Sequence, residues 1–480
     1  MMETDMTGNV LTLRQSLLFL LLLTGFGASS VLAAGQDWTE FGGNAQSSSA
    51  SNAPTGITAK NVASLKRRQV KLDGTVDSTA IYLHNVTVKG SSHDVFFVTT
   101  TYGKTIAVDA ANGGILWEYT PSKYSSWEGT RQITNSTPAA GPGRRYIYAA
   151  SPDGVVQKLA VSNGHVGWRT PVTRLAHREK ITSGLKIFHG HLIVVVGGYI
   201  GDRPPYQGHV AILDAKSGKL LHVWNSLCSN RTGLLQPSSC SATRSSIWGR
   251  GGATIDPKTG DIFVASGNGP YNGKTNWSDA LIELNASATR MLGNYTPSNN
   301  SYMNERDLDM GSTSPALLGD GIVAQGGKDA KIVLLKISQI AGTGPHQDHE
   351  LQVVSTPGSD MLFSDLAVWR HNGETWVFAA DKGGTEAWTF SNDKLTGKWK
   401  NGTGGTSPLV AGGLLYVYDP AGGLDVYDPA SGKHIADLSC GPGHWNSPIV
   451  ADGKIALPEG NANHHASSGI LDIWSLPSGH

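Results

Sequence analysis

The sequence predicts an all-β fold, an eight-bladed β-propeller of four-stranded blades, with seven blades as the alternative count. Glycine supplies 60 of the 480 residues, well above the roughly 7% of average usage, which favours many tight turns. Pairs of short apolar runs joined by turn residues recur eight times along the chain. Residues 34–480 divided by eight give about 56 residues per unit, the size of a four-stranded blade with its loops.

Each predicted pair is an apolar run, a turn rich in Gly, Asp or Asn, and a second run. The first runs are 94–99, 145–150, 192–196, 261–266, 321–325, 375–380, 414–418 and 454–458. The second runs are 104–109, 155–160, 209–214, 279–284, 331–335, 386–390, 424–428 and 470–474. A β-solenoid also repeats, but its coils are shorter and lack such hairpins. The segment 37–72 is expected to lend one strand to the last blade and so to cover two sheet edges.

Charge and composition exclude several classes of protein. Charged residues are 16% of the chain, and Lys+Arg and Asp+Glu are equal at 38 each. Apolar content is ordinary and no long charge block occurs, so a disordered chain is excluded. The longest basic run is 66–68, which argues against a nucleic-acid binder.

The first 33 residues are predicted to be a signal peptide. Arg14 precedes the apolar run 17–23, and Val31-Leu32-Ala33 fits the small-x-small pattern before a cleavage site. An uncleaved membrane anchor is the alternative, but the apolar run is short for a 30 Å bilayer and is diluted by Gly and Ser. Residues 34–480 are therefore expected to be one exported propeller domain, periplasmic or secreted and not membrane-spanning.

If the protein is exported, its cysteines can form disulfides. Cys228 and Cys240 are separated by loop-like sequence, and in an oxidising compartment they are predicted to form a local disulfide. Two free thiols are the alternative. Cys440 is left over and is expected to be buried and unpaired. The sequence has no Cys-x-x-Cys-His, which predicts no covalent c-type haem.

One segment carries a repeat motif in full. Residues 107–117 read Ala-Val-Asp-Ala-Ala-Asn-Gly-Gly-Ile-Leu-Trp, and 214–218, 428–432 and 164–168 match parts of the same pattern. The motif resembles the pyrroloquinoline-quinone (PQQ) repeat of the quinoprotein alcohol dehydrogenase-like propellers. Its physical basis is packing: Asp caps a turn, Gly takes a left-handed conformation and Trp packs on the neighbouring blade.

The resemblance implies a cofactor site at the propeller axis. Trp248 resembles the tryptophan that floors the quinone, and Asn268 in Ser-Gly-Asn resembles the asparagine that binds Ca²⁺. Asp309 or Asp307 is placed like the general base, and Lys328 like the cation that contacts the quinone oxygens. In that chemistry a carboxylate removes the alcohol proton, Ca²⁺ polarises a quinone carbonyl, and the lysine stabilises the developing oxyanion.

The calcium set that the resemblance implies is Asn268, Asp309 and Asp202. Two features depart from the family pattern. The vicinal cysteine pair of those enzymes is absent from the sequence, and their glutamate ligand has no clean match, Asp202 being the nearest carboxylate. Ca²⁺ takes six to eight oxygens, so these three residues need oxygens from the cofactor as well.

Each of these positions also has a structural reading. Asn268 lies between glycines in a turn, Trp248 suits blade packing, Lys328 lies in a polar turn, and Asp307 or Asp309 suits a turn cap. The pair His464-His465 reads as a solvated loop, with a metal site as the alternative.

Two function classes remain open. One is an exported quinoprotein-like oxidoreductase of an alcohol or sugar that passes electrons to a separate carrier. The other is a non-catalytic propeller that binds a protein or glycan, since one repeat fold serves both.

Overall fold

The computed structural model describes residues 35–477, and the predicted signal peptide at 1–33 lies outside this range. Two short strands, β1 (Ala50–Ser51) and β2 (Lys66–Leu72), precede the first complete sheet. Two helices, α1 (Tyr124–Trp127) and α2 (Asn300–Arg306), lie in connections between sheets. No helix within 35–477 has both the length and the apolar character that crossing a membrane requires.

Residues 35–477 form eight sheets, which confirms the predicted eight-bladed propeller and its hairpin pairs. Blades one to four contain β3 (Ile81–Val88), β4 (Ser91–Thr99), β5 (Thr105–Asp109), β6 (Ile115–Tyr119); β7 (Ala139–Ala140), β8 (Tyr146–Ser151), β9 (Val155–Ala160), β10 (Val166–Pro171); β11 (Glu179–Ile181), β12 (Lys186–Phe188), β13 (His191–Gly198), β14 (His209–Asp214), β15 (Leu220–Asn225); and β16 (Thr254–Ile255), β17 (Ile262–Ala265), β18 (Leu281–Leu284), β19 (Met291–Tyr295).

Blades five to eight contain β20 (Ala316–Gly319), β21 (Ile322–Gly326), β22 (Lys331–Lys336), β23 (Glu350–Ser355); β24 (Ala367–His371), β25 (Glu374–Ala380), β26 (Thr385–Ser391), β27 (Lys394–Asn401); β28 (Leu409–Ala411), β29 (Leu414–Tyr418), β30 (Leu424–Tyr427), β31 (His434–Leu438); and β32 (Ile449–Ala451), β33 (Lys454–Glu459), β34 (Gly469–Ser475). Consecutive strands of a blade pair antiparallel, except that β11 and β12 share the same neighbour, β13. First strands of several adjacent blades contact one another, so the first strands surround the axis.

The ring is closed by the N-terminal strand, as the sequence predicts. β2 pairs antiparallel with β34 and becomes the outer strand of blade eight. Arg67 of β2 lies 2.8 Å from Asp472 and 2.7 Å from Glu459, which belong to the last blade. The closure removes the free edge that a β34 without partner would present to other chains.

The segment before β2 passes from one inner strand to the next around the axis. The carbonyls of Thr39, Ala45, Ser48 and Ser49 accept hydrogen bonds from the first strands of blades two, four, six and seven, at 2.8–3.0 Å. The ammonium of Lys186 in blade three, fully buried, donates to the carbonyl of Phe41 at 2.7 Å. The segment thus links most blades at their inner edges.

The apolar core lies between neighbouring blades. Between blades one and two, for example, Leu83 and Phe97 pack with Ile147 and Leu159, all fully buried. Successive interfaces repeat this arrangement around the ring. Both faces of each sheet are therefore covered, which explains why the strands read as nearly continuous apolar runs.

The repeat motif performs the packing predicted for it. Asp109 accepts the amide of Ala111 at 2.8 Å, and Gly113 has φ +75°. The indole of Trp117 donates to the carbonyl of Val161 at 2.8 Å in the next blade and covers Gly164, where a Cβ would lie 2.7 Å from the ring. The Trp of one motif thus packs on the Gly of the motif in the next blade. A partial motif can therefore supply only the Trp or only the Gly of such a contact.

A disulfide joins Cys228 and Cys240, as predicted, with their Cα atoms 6.2 Å apart. It lies in the connection between blades three and four. Cys440 is free among the described residues, but the expectation that it is buried is wrong, because it is half-buried. It sits beside the turn before β30, where the amide of Gly423 approaches its Sγ at 3.1 Å.

Candidate functional site

A cavity of about 410 Å³ opens at the propeller axis. Five of the predicted site residues line it: Trp248, Lys328, Asp307, Asp309 and Asp202. The sixth, Asn268, is hydrogen-bonded to two of these aspartates. The structure therefore brings all six into one region, and their roles stay predictions.

Equivalent loops explain why these side chains converge. Asp202, Asn268 and Lys328 follow the second main strands of blades three, four and five. In a propeller, equivalent loops emerge on one face and point to one axis. Asp307 and Asp309 lie between α2 and the short 3₁₀ turn Met310–Ser312, which leads into blade five on the same face.

Asp307, Asp309, Lys328 and Asn268 form what we call the acid–lysine wall. The ammonium of Lys328 lies 3.1 Å from Asp307 Oδ2 and contacts Asp309 Oδ2 directly. The amide of Asn268 donates to Asp309 Oδ1 at 2.6 Å, and its side-chain Nδ2 donates to Asp307. Asp309 is buried, whereas the side chain of Asp307 is 65% exposed.

The close approach within this wall requires a residue without a side chain. A Cβ at Gly267 would overlap Asp309 Oδ1 and lie 3.3 Å from the Trp248 indole nitrogen. The carbonyl oxygen Oδ1 of Asn268 is buried and has no hydrogen-bond partner within residues 35–477. An unpaired buried acceptor is costly, which makes it a candidate ligand atom.

Burial and charge set the protonation of the wall. Burial raises the pKa of Asp309, while the Lys328 ammonium opposes that rise. Burial by itself would lower the pKa of Lys328, but attraction to Asp309 and Asp307 raises it. Behind them, burial and repulsion by Asp309 raise the pKa of Asp279 well above its ordinary value. The site therefore concentrates carboxyls that hold protons more tightly than in water.

Asp202 approaches from blade three and is tied to the same region. It accepts the hydroxyl of Tyr206 at 2.6 Å. The chain just after the disulfide links this pair to the wall: the amide of Arg244 donates to the Tyr206 carbonyl at 2.8 Å, and that of Ser245 to the Asn268 carbonyl at 2.6 Å. The segment that follows the disulfide thus contacts Asn268 directly and Asp202 through Tyr206, two of the three candidate calcium ligands.

Three aromatic rings form the aromatic stack of the cavity: Trp248, Phe363 and Trp445. Phe363 and Trp445 are stacked with centroids 5.0 Å apart, and Trp248 lies 5.9 Å from Trp445. The Lys328 ammonium lies 5.3 Å from the Trp248 ring centroid. A flat ligand can therefore contact aromatic surface beside a cation.

A second polar cluster, which we call the Asp77 wall, comprises Asp77, Arg250, His444 and Asn135. Unlike the acid–lysine wall, it surrounds one carboxylate with several donors. Asp77 is fully buried, with Arg250 Nη2 2.9 Å and His444 Nδ1 2.8 Å from its two oxygens. Asn135 and the amide of Ala462 also donate to it, at 3.2 and 2.9 Å. Burial would raise the pKa of Asp77, but Arg250 and His444 outweigh burial and lower it.

Parts of the chain are similar in sequence to known proteins. A family model described as outer membrane protein assembly factor BamB matches residues 49–233. A polyvinylalcohol dehydrogenase from Pseudomonas sp. is 22% identical over 356 residues, 64% of this chain and 53% of that protein. Quinohemoprotein alcohol dehydrogenase ADH IIB from Pseudomonas putida is 27% identical over 198 residues, 38% of this chain and 28% of that protein.

The fold agrees with a solved structure. Quinohemoprotein alcohol dehydrogenase from Comamonas testosteroni superposes with a TM-score of 0.66 at 15% identity, over 92% of this chain and 81% of that one. The resemblance to the PQQ-repeat propellers is confirmed. The match spans about half the length of the first relative and about a quarter of the second.

Sequence reasoning missed several residues of this cavity. Asp77, Arg250, His444, Phe363 and Trp445 were not predicted, although a positional signal exists. The residue four positions before the first strand, counted from β12 in blade three, lines the cavity at 135, 182, 250, 363 and 445. In blade one this residue is Asp77, which contacts the cavity residue Arg250. Aligning the blades on their first strands would have found this row.

The donor set can be tested against the cofactors that the resemblance implies. The aromatic stack and the cations Lys328 and Arg250 suit a flat anionic quinone. No group of three His, Cys, Asp or Glu side chains within 35–477 is placed to hold a metal ion. Of the implied calcium set Asn268, Asp309 and Asp202, only Asn268 Oδ1 is a buried oxygen without a partner within 35–477, whereas both Asp309 oxygens already contact Asn268 or Lys328. A calcium ion held by this set would need further oxygens from the quinone. His464 and His465, in or after a 3₁₀ turn, belong to no such group.

Proposed function

We propose that the cavity binds a PQQ-type quinone with Ca²⁺ and oxidises the hydroxyl of an alcohol or sugar. The observation that carries the proposal is the meeting of Asp309, Lys328 and Trp248 in one cavity, with Asn268 hydrogen-bonded to Asp309. The relatives named for alcohol oxidation support the same class of chemistry.

The quinone with its Ca²⁺ would supply the acceptor for the electron pair that leaves the alcohol carbon. Asp309 would accept the proton of the substrate hydroxyl at its carboxylate, and its raised pKa suits that task. Lys328 would hold that carboxylate in place and present a positive charge where negative charge develops on oxygen. Trp248 would support one face of the flat ring.

The same proposal places the enzyme outside the cytoplasm with a separate electron acceptor. It rests on the predicted signal peptide at 1–33 and on the need of a reduced quinone to pass its electrons on. Electrons would then leave on another molecule.

Reconstitution tests the proposal. Purified protein is incubated with PQQ and Ca²⁺, and quinone uptake and dye reduction with alcohols are measured. Asp309→Ala should lower dye reduction at least about 100-fold, because general base catalysis contributes that much, while quinone uptake is largely kept. Lys328→Ala should weaken both. Asp393→Ala, a half-exposed partner of Lys336 on the surface, is the control and should change neither. Absence of quinone uptake by the wild type with Ca²⁺ would refute the proposal.

One observation favours a second candidate, a non-catalytic propeller that binds a protein or glycan. The family model that matches residues 49–233 describes an assembly factor. If the wild type takes up no quinone, this reading replaces the first, and pull-down with cell-envelope extracts would seek the partner.

A further inference from the structure

Lys180 is a cation of the cavity that the proposed chemistry does not use. It belongs to β11 of blade three and lines the cavity. Its Nζ donates to Asn135 Oδ1 at 2.7 Å and lies 5.6 Å from the Tyr199 ring centroid. Within residues 35–477, no carboxylate lies within ion-pair distance of this ammonium.

The other cations of the cavity differ from it. Lys328 contacts Asp307 and Asp309, and Arg250 is paired with Asp77 at 2.9 Å. Lys180 has only an amide oxygen and an aromatic face, which are weaker partners than an anion. Burial, together with repulsion by Arg250, lowers the pKa of Lys180 to about 8. A bound anion would relieve both effects.

A second donor on the same side also lacks a partner. Arg250 is 6% exposed, and its Nε is buried without a hydrogen-bond partner among the described residues. Its two other nitrogens serve Asp77. Lys180 and Arg250 therefore share this side of the cavity with a single carboxylate, Asp77, which is paired with Arg250. With the Lys180 ammonium protonated, this side carries excess positive charge.

We propose that Lys180 and Arg250 form a carboxylate-binding subsite beside the Asp77 wall, with the Lys180 ammonium as its principal donor. Carboxylate is the favoured ligand because a planar anion suits a guanidinium edge and an ammonium together. Two sources share this chemistry: a carboxylate of the quinone, which carries three, or a carboxylate of the alcohol substrate. The quinone source rests on the proposed function, and the subsite itself does not.

The first experiment uses an anion without redox chemistry. Benzene-1,3,5-tricarboxylate is titrated into the full chain, and quenching of tryptophan fluorescence is followed, since Trp248 and Trp445 line the cavity. Lys180→Met should weaken binding at least about tenfold, because a charge-assisted hydrogen bond is lost, and Lys180→Arg should restore most of it.

Lys158→Met is the matched control. Lys158 is also largely buried, at 7% exposure, and lies 4.0 Å from the Tyr146 ring centroid, but it is not part of the cavity lining. It should leave tricarboxylate affinity unchanged. Thermal unfolding of each variant verifies that the protein is folded. Equal affinity of wild type and Lys180→Met, or no binding to the wild type, would overturn the subsite.

The second experiment separates the two sources. Affinity for PQQ with Ca²⁺ is compared with affinity for 1,10-phenanthroline-5,6-dione, a flat quinone without carboxylates. If the quinone occupies the subsite, Lys180→Met weakens PQQ binding about tenfold and leaves the dione unchanged. If the substrate occupies it, PQQ affinity is kept and KM rises for a hydroxy acid but not for a simple alcohol.

The two proposals can fail separately. A wild type that binds the tricarboxylate through Lys180 but takes up no quinone refutes the oxidoreductase and keeps the subsite. A wild type that takes up PQQ while Lys180→Met binds the tricarboxylate and PQQ as tightly refutes the subsite and keeps the oxidoreductase.

Discussion

The acid–lysine wall and the Asp77 wall face the same cavity with similar residue types, yet their bonding differs. Asp77 is saturated: Arg250, His444, Asn135 and a backbone amide all donate to it. The acid–lysine wall is incomplete: within residues 35–477 Asn268 Oδ1 has no hydrogen-bond partner, and two carboxylates, Asp307 and Asp309, share the ammonium of Lys328. The pKa values reflect this difference in partners: that of Asp77 is lowered from its ordinary value, and that of Asp309 is raised.

The two walls show that the completeness of a buried group's partners can distinguish residues that stabilise the fold from residues that bind a ligand. A buried charge whose partners are complete stabilises one arrangement of the chain. A buried group whose partners are incomplete is costly unless a ligand completes it. We therefore expect mutation of Asp77 to affect folding most, and mutations in the acid–lysine wall to affect ligand binding and turnover most.

The largest effect on stability is expected for Asp77→Ala. Removal of this carboxylate leaves Arg250 buried without its partner, and breaking a buried pair costs about 3–5 kcal/mol of unfolding free energy. Asp307→Ala, in the other wall, removes a side chain that is 65% exposed and should cost less than about 1 kcal/mol. Urea denaturation of both variants measures the difference, and equal losses would contradict the contrast between the walls.

The disulfide is expected to have the next largest effect. Replacing Cys228 and Cys240 by Ser should lower the unfolding free energy by about 2–3 kcal/mol through a looser unfolded loop. Because the following residues hold Tyr206 and Asn268, the variant should also bind the quinone and Ca²⁺ more weakly. Cys440→Ser is the control. Thiol titration of the denatured, unreduced wild type should find one free thiol, and three would refute the bridge.

Acid should destabilise the protein through Asp77. Its pKa is lowered in the folded state, so its contribution is present above the ordinary value of 3.8 and is lost as pH falls through the folded value. Unfolding free energy measured between pH 5 and 2 should fall for the wild type and fall less steeply for Asp77→Ala. Identical slopes would show that Arg250 and His444 do not favour the ionised form.

Glu283 tests whether charged partners, rather than burial, decide if the pKa of a buried carboxyl is raised or lowered. It is buried in blade four, and burial together with repulsion by Asp261 and Asp256 raises its pKa to about 7. Its contribution to stability is therefore full below the ordinary value of 4.5 and is lost as pH rises through about 7. Glu283→Gln should flatten this decline in denaturation curves between pH 5 and 8, and an unchanged decline would assign it to other groups.

Local signals in the sequence were sufficient for the fold. Alternating apolar runs with Gly and Asp turns marked all eight hairpins, and the motif at 107–117 predicted a Trp packed on the next blade. Sequence also predicted the disulfide and the ring closure by β2. The hairpins and the disulfide depend on residues close together in the sequence, and the ring closure covers a strand edge that would otherwise be exposed. Such features can be predicted from the sequence.

The tertiary structure alone decided the Asp77 wall and the setting of Lys180. Asp77 and His444 are 367 residues apart and meet because the last blade closes against the first. A strand pattern tells which face a side chain takes, but the distance between two side chains across the axis depends on how all the blades are arranged around it. The half-exposure of Cys440 has the same origin, since it follows from how neighbouring turns pack and not from the identity of the residue.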